Sequence, residues 1–178
     1  MREHAQTEKD IVESGIPYSI LRTHTYMQNL LMSAPTIVPD GAIYLPYRDG
    51  RVAMVDLRDN AEAAIELLVG DLRNGETFTI TGPDSVSMHD VASTISGVVG
   101  KDVSYVDIPP EVAREGMLGV GMDEWLVDLY LGFFEEFASD KFHATSNDFE
   151  QLMGHKQRSV AEFVGDHAAV FSGESATV

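Results

Sequence analysis

The sequence nowhere spells Gly-x-Gly-x-x-Gly or Gly-x-x-Gly-x-x-Gly, yet helical and strand patterns alternate along most of its length. The tight βα turn that such a motif builds, with the helix N-terminus behind it, holds the pyrophosphate of a dinucleotide. A chain with this alternation and without that turn is therefore restricted to an α/β fold whose phosphate grip, if it has one, is built by other residues.

The local patterns are specific. Glu3 to Ser14 reads as a helix with Gly15 as its stop, and Ile16 to Arg22 as a strand rich in β-formers and led by Pro17. Tyr26 to Ala34 fits a short helix or a loop. Asp49-Gly50, between Ala42–Tyr47 and Arg51–Val55, is the strongest hairpin signal in the chain. Ala61, Ala64, Ile65 and Leu68 recur at helical spacing within Arg58 to Val69, which predicts an amphipathic helix with its acids outward. Met54 to Asp56 reads as a strand leading into that helix's N-cap, and Arg58 and Asp59 suit a cap or the helix dipole.

Gly75 to Thr81 predicts a strand closed by Gly82-Pro83, and Ser87 with Asp90 opens a helix that ends at Gly100. Val103 to Ile108 is a further strand. The remainder is helical: one helix starts at Pro110, a second covers Asp123 to Ala138 with Leu126, Leu129, Tyr130, Phe133 and Phe137 as its apolar stripe, and a short one covers Asn147 to Met153. Ser159-Val160-Ala161-Glu162 is a capping box that opens a last helix to about Phe171. The expectation is a single domain over 1–171 followed by a flexible tail.

Composition narrows the function. Twenty-nine acidic residues against 12 basic ones leave a net charge of −17, a field that repels phosphate backbones and anionic lipid surfaces, so neither nucleic acid nor membrane is an expected partner. Four of the basic residues are lysines, and the acids are dispersed, which suits a solvated surface in a high-salt cytosol. No apolar run approaches the ~20 residues of a membrane span, and a cytoplasmic location is expected. Without cysteine the chain has no disulfide, thiolate metal site or Cys nucleophile. The six histidines show no metal-ligand spacing, so no metal is expected, and Ser19 and Ser87 lack the surroundings of a hydrolytic nucleophile.

Several motifs occur in a telling order: His4-x-x-x-Glu8, Ser14-Gly15-Ile16-Pro17-Tyr18-Ser19-Ile20-Leu21-Arg22, Tyr26-x-x-Asn29, Gly50 to Asp56 leading to Asp59-Asn60-Ala61, Gly75-Glu76-Thr77-Phe78 leading to Thr81-Gly82-Pro83, and Val98 to Tyr105. In this order the chain resembles the NmrA-like branch of atypical short-chain dehydrogenases/reductases, and within it the NAD(P)H-quinone oxidoreductase type 2 and NADH-dehydrogenase-like proteins. The resemblance covers nearly the whole chain but only the second half of the family fold. It implies an α/β, incomplete Rossmann-type sheet made of late strands, with a mostly helical, substrate-facing C-terminal lobe. It also implies NAD(P) as cofactor, not held by this chain alone, and a small-molecule acceptor such as a quinone. A bare sheet edge invites a homo-oligomer or a partner chain to cover it.

The resemblance also assigns site residues. His4 falls in the slot of the lysine that holds the nicotinamide ribose in related dehydrogenases, and it is the catalytic candidate together with Tyr26; by itself it reads as an exposed residue of a terminal helix. Thr23 and His24 approach the nicotinamide, while Tyr26 and Asn29 line the substrate cleft, Tyr26 by stacking on a flat acceptor and Asn29 by bonding a carbonyl. The alternative for these two is plain packing of the strand end and a turn cap. Trp125, Phe133, Phe134 and Phe137 suit either an aromatic pocket or, more often for such a stripe, core. The expected function is the substrate-binding half of an NAD(P)-dependent oxidoreductase; the alternatives are a non-catalytic NAD(P)-sensing regulatory protein and a stand-alone interaction module.

Overall fold

The computed structural model describes residues 2–70 and 73–174. Helix α1 (Arg2–Glu13) ends ahead of Gly15, whose φ of 75° places it in the left-handed region that glycine enters without strain. Strand β1 (Ser19–Thr23) starts later than the sequence suggests, because Pro17 has no N–H and the Tyr18 N–H turns aside to Asn74 Oδ1 at 2.9 Å. A 3-10 helix (Met27–Ser33) runs directly into α2 (Ala34–Asp40), which ends on the left-handed Gly41. Prolines 35 and 39 within or beside its few turns had hidden α2 in the sequence.

Then come β2 (Ala42–Leu45), α3 (Leu57–Val69), β3 (Glu76–Ile80), α4 (Met88–Val99) and β4 (Ser104–Asp107). The helical remainder is α5 (Pro110–Gly119), α6 (Glu124–Ala138), α7 (Asp148–Met153), α8 (Val160–Asp166) and α9 (Ala168–Ser172). Both expected capping boxes form, Ser87 with Asp90 on α4 and Ser159 with Glu162 on α8. The last helix breaks at His167 into α8 and α9, and the expected tail from Ser172 loses that residue to α9, while 175–178 lie outside the described residues.

Two parallel pairs make the β-structure: β1 with β3, Leu21 opposite Phe78, and β2 with β4, Ile43 opposite Tyr105. The hairpin at Asp49-Gly50 does not exist. β2 takes the distant β4 as its partner, and 51–55 instead threads between other segments. Val52 and Val86 exchange backbone bonds at 2.9 and 3.1 Å, the Ala53 N–H donates to Phe142 O and the Gly82 N–H to Ala53 O, and the Val55 N–H donates to Thr25 O. Every residue from Val52 to Asp56 is buried as a result.

Two apolar clusters form the core. The larger gathers Met27, Ile37, Ile43, Val91, Ile95, Phe137, Phe163 and Phe171, among others; the smaller, under β1 and β3, is Val55, Ala63, Leu67, Phe78, Ile80 and Phe149. Helix α3 meets it with Ala63 and Leu67, so the stripe read from the sequence points the other way: Ile65 is 58% and Leu68 81% exposed. Helix α6 is rotated as well. Val127, Phe134 and Phe137 face the core, whereas Leu129 and Phe133 face water. Both helices carry apolar residues around most of their circumference, which leaves the pattern without a single phase. Among the described residues no helix is long and apolar enough to cross a membrane.

Candidate functional site

The carboxyl end of β1 feeds a loop pinned on two sides. The His24 N–H donates to Ile80 O at 3.0 Å beside β3, Thr25 O accepts from Val55 N at 3.0 Å, and the Met27 N–H returns to Val55 O at 2.9 Å. Thr23 as the last residue of β1, His24 and Tyr26 in the loop, and Asn29 in the first turn of the 3-10 helix thus follow one another at the strand end, where open α/β sheets bind ligands.

Their side chains differ in what they offer. Thr23 is exposed, and its hydroxyl donates to His24 O at 2.8 Å. His24 is half-buried with its ring edge-to-face on Phe142, centroids 5.5 Å apart, and its Nδ1 is buried without a protein partner. Burial pushes the His24 pKa below its usual value, against a smaller upward pull from a bond with the Ala53 backbone. Asn29 is exposed, with Nδ2 donating to Thr25 Oγ1 at 3.0 Å. Tyr26 packs half-buried against the smaller core cluster.

His4 stands apart on α1. Glu8, one turn along the same helix face, grips Arg22 at the end of β1 through two carboxylate oxygens, the shorter contact being 2.5 Å. His4 itself is exposed on that face. Within α1, from His4 on, only Glu8 and Ile11 are even half-buried.

Sequence reasoning missed what braces the loop. Gln28 Nε2 donates to Asp56 Oδ1 at 2.9 Å, and Gln28 Oε1 accepts from Leu57 N, so the 3-10 helix is bolted to the N-terminus of α3. Asp56 is wholly buried as the α3 cap. Burial raises its pKa, but bonds from the Arg58 side chain and backbone and from Gln28 outweigh this and hold it down at about 2. Arg58 continues to Asp166 at 2.7 Å. A residue that closes a loop from many positions away leaves no local pattern to read.

The orphaned His24 Nδ1 and the exposed Thr23 and Asn29 suit the amide and carbonyl groups of a nicotinamide and its acceptor. The sequence has no Gly-x-Gly-x-x-Gly or Gly-x-x-Gly-x-x-Gly motif of the kind that receives a pyrophosphate. Among the described residues no three His, Asp or Glu side chains gather as a metal site.

The NmrA-like family model matches residues 2–164. An NAD(P)H azoreductase from Xenophilus azovorans is 32% identical over 166 residues, covering 93% of this chain and 58% of that protein. Quinone oxidoreductase 2 of Escherichia coli is 26% identical over 162 residues, covering 91% of this chain and 57% of the relative. The crystal structure of the E. coli NADPH-dependent quinone oxidoreductase with NADPH superposes with a TM-score of 0.85 over 93% of this chain and 59% of that one, at 26% identity. This chain thus spans a little under three-fifths of the proteins it matches.

Proposed function

This chain belongs to the NmrA-like family, and from that premise we propose that it is the acceptor-binding portion of an NAD(P)H-dependent reductase of the quinone-reductase type, working with a glycine-rich cofactor-binding portion seated on the open edge of β1. One observation carries the reading. On the side of β1 away from β3, with no strand partner among the described residues, the exposed apolar stripe of α3 forms a groove of about 280 Å³ lined by Ser19, Leu21, Ala64, Leu67 and Leu68. An open strand edge beside a bare apolar helix face is where a sheet continues. On the opposite edge, that of β3, the Thr79 N–H is taken by Asp148 Oδ2 of α7 at 2.7 Å.

The loop residues then divide the work. Thr23 and His24 contact the nicotinamide, whose chemistry when bound is hydride donation. Neutral His24 offers its unpaired Nδ1 as a hydrogen-bond partner without adding charge. Asn29 bonds an acceptor carbonyl, and Tyr26 presents its ring edge to the flat acceptor. His4, one turn from Glu8 on α1, lies on the ribose side and hands on a proton.

The test is reconstitution. The purified chain mixed with NADPH and a simple quinone is expected to give no turnover, and addition of the portion of the E. coli relative that this chain does not match is expected to restore it. Robust turnover by the chain alone overturns the division of labour. Failure of the quinone to bind the chain at all overturns the acceptor role.

A further inference from the structure

The 3-10 helix that begins at Met27 starts without a side-chain cap, and a helix of this kind holds its own shape poorly. Where it sits is therefore decided by bonds to other elements. The Met27 N–H supplies one, to Val55 O at 2.9 Å, and the half-buried Gln28 side chain supplies two more: Nε2 donates to Asp56 Oδ1 at 2.9 Å, and Oε1 accepts from Leu57 N at 3.0 Å. Tyr26 and Asn29, read above as the acceptor contacts, flank the two residues that carry these bonds.

The chemistry of this clamp is specific. It spans a carboxylate oxygen and the N–H of the next residue, so it calls for a donor and an acceptor on one uncharged group, and a primary amide offers both. A glutamate has the acceptor for Leu57 but sets a second carboxylate against Asp56; a methionine makes neither bond. Asp56 cannot give way, because it is wholly buried and Arg58 holds it through backbone N–H and guanidinium while reaching Asp166 of α8 with the same side chain. Asn29, for its part, spends one amide hydrogen of Nδ2 on Thr25 Oγ1 at 3.0 Å, which leaves the other for a carbonyl as long as the start of the helix keeps its place.

We propose that Gln28 is a positioning residue for the acceptor: without touching it, the Gln28 amide fixes Tyr26 and Asn29 against the N-terminus of α3 in the arrangement that binds the quinone ring. The inference rests on the acceptor reading above and adds the residue that sets the affinity of that site.

A methylated benzoquinone is titrated by equilibrium dialysis into the chain, into Gln28→Glu and Gln28→Met and, as a control for stability alone, into Ser87→Ala, which removes the capping box of α4. Urea unfolding gives the stability of each variant separately. At about pH 8 the two Gln28 variants are expected to bind the quinone about tenfold more weakly or worse, and Ser87→Ala to bind it as the unmodified chain does. Lowering the pH to about 5.5 separates placement from loosening. The carboxyl that Gln28→Glu sets beside the Asp56 carboxylate takes up a proton more readily than an ordinary one, and once protonated it donates to Asp56 and accepts from Leu57 as the amide does. Gln28→Glu is therefore expected to regain affinity relative to the unmodified chain, and Gln28→Met is not; the ratio at each pH removes the titration of His24 in the same loop. Unchanged affinity in both Gln28 variants overturns the positioning role and leaves the acceptor role standing. So does a loss in Gln28→Glu that is the same at both pH values, or a loss of equal size in Ser87→Ala. Absence of quinone binding by the unmodified chain overturns both.

Discussion

Arg158 closes on Asp59 with both backbone and side chain: its N–H donates to Oδ2 at 2.8 Å and its guanidinium to Oδ1, while the other guanidinium nitrogen reaches Glu62 at 2.8 Å. Asp59 is completely buried. It sits in the first turn of α3, where an acid suits the helix dipole, and beyond that it anchors the segment that leads into α8. Removal of the carboxylate in Asp59→Ala leaves the Arg158 N–H without its acceptor and the guanidinium on Glu62 alone, and is expected to cost about 1–3 kcal/mol in urea unfolding. Asp59→Asn keeps an acceptor and costs less. A loss below about 0.5 kcal/mol in Asp59→Ala contradicts the anchoring role.

Asp56 sets the acid limb of stability. Its carboxyl titrates at about 2 in the folded chain against an ordinary 3.8. A depressed carboxyl contributes stability that is complete above the ordinary value and lost as pH falls from there toward the folded value. Asp59 works in the opposite sense: burial, against the bonds from Arg158, raises its pKa, so its contribution is greatest at low pH and declines as pH rises through the folded value. Asp56→Asn is expected to lower stability at neutral pH by roughly 1–2 kcal/mol and to flatten the decline between pH 3.8 and 2. Unfolding free energies across that range decide it; an unchanged acid limb refutes it.

Gly82 packs where no side chain fits. A Cβ there lies 2.0 Å from Met54 O, on the segment that threads the middle of the fold. Gly82→Ala is expected to destabilise by at least about 2 kcal/mol. Gly97, exposed in α4 with open space around it, is the control, and Gly97→Ala is expected to stabilise by up to about 1 kcal/mol. Thermal melts of the pair, read side by side, separate close packing from helix propensity.

His24 reports on the loop. With its pKa lowered by burial, its imidazole is expected to titrate below 6.5 and to be uncharged at neutral pH. The linked stability is present above 6.5 and lost as pH falls through the folded value. Proton NMR of the His24 ring, assigned by comparison with His24→Gln, gives the midpoint. A value at or above 6.5 contradicts the burial argument.

We propose that molar salt stabilises the fold as a whole. Cations are so scarce that Arg58, Arg114 and Arg158 each serve two carboxylates. The remaining acids repel one another at range, and that repulsion is the part salt screens. The melting temperature is expected to climb with added KCl; indifference to KCl removes the idea.

What the sequence disclosed is what is encoded within a few residues. Ser87 with Asp90, Ser159 with Glu162, and the glycine stops after α1 and α4 are local devices, and each stands where its pattern puts it. The strand-end loop from Thr23 to Asn29 was legible for the same reason. Distant partnerships were not. Asp49-Gly50 has the residues of a tight hairpin, but β2 buries Ile43 by pairing with β4, and Arg51 N turns to Asp140 instead. The bolts on the site, Gln28 to Asp56 and Arg158 to Asp59, span 28 and 99 residues and have no short-range signature. Helices α3 and α6 misled because their outward faces are also apolar, with Ile65, Leu68, Trp125 and Leu129 all turned to solvent.

The grip of Glu8 on Arg22 has one more effect. It ties α1 to the end of β1 at the surface, and an ion pair in contact with solvent weakens as electrolyte is added. Added electrolyte is therefore expected to loosen α1 at this contact before it touches the core, which amide exchange along α1 with and without molar KCl reads.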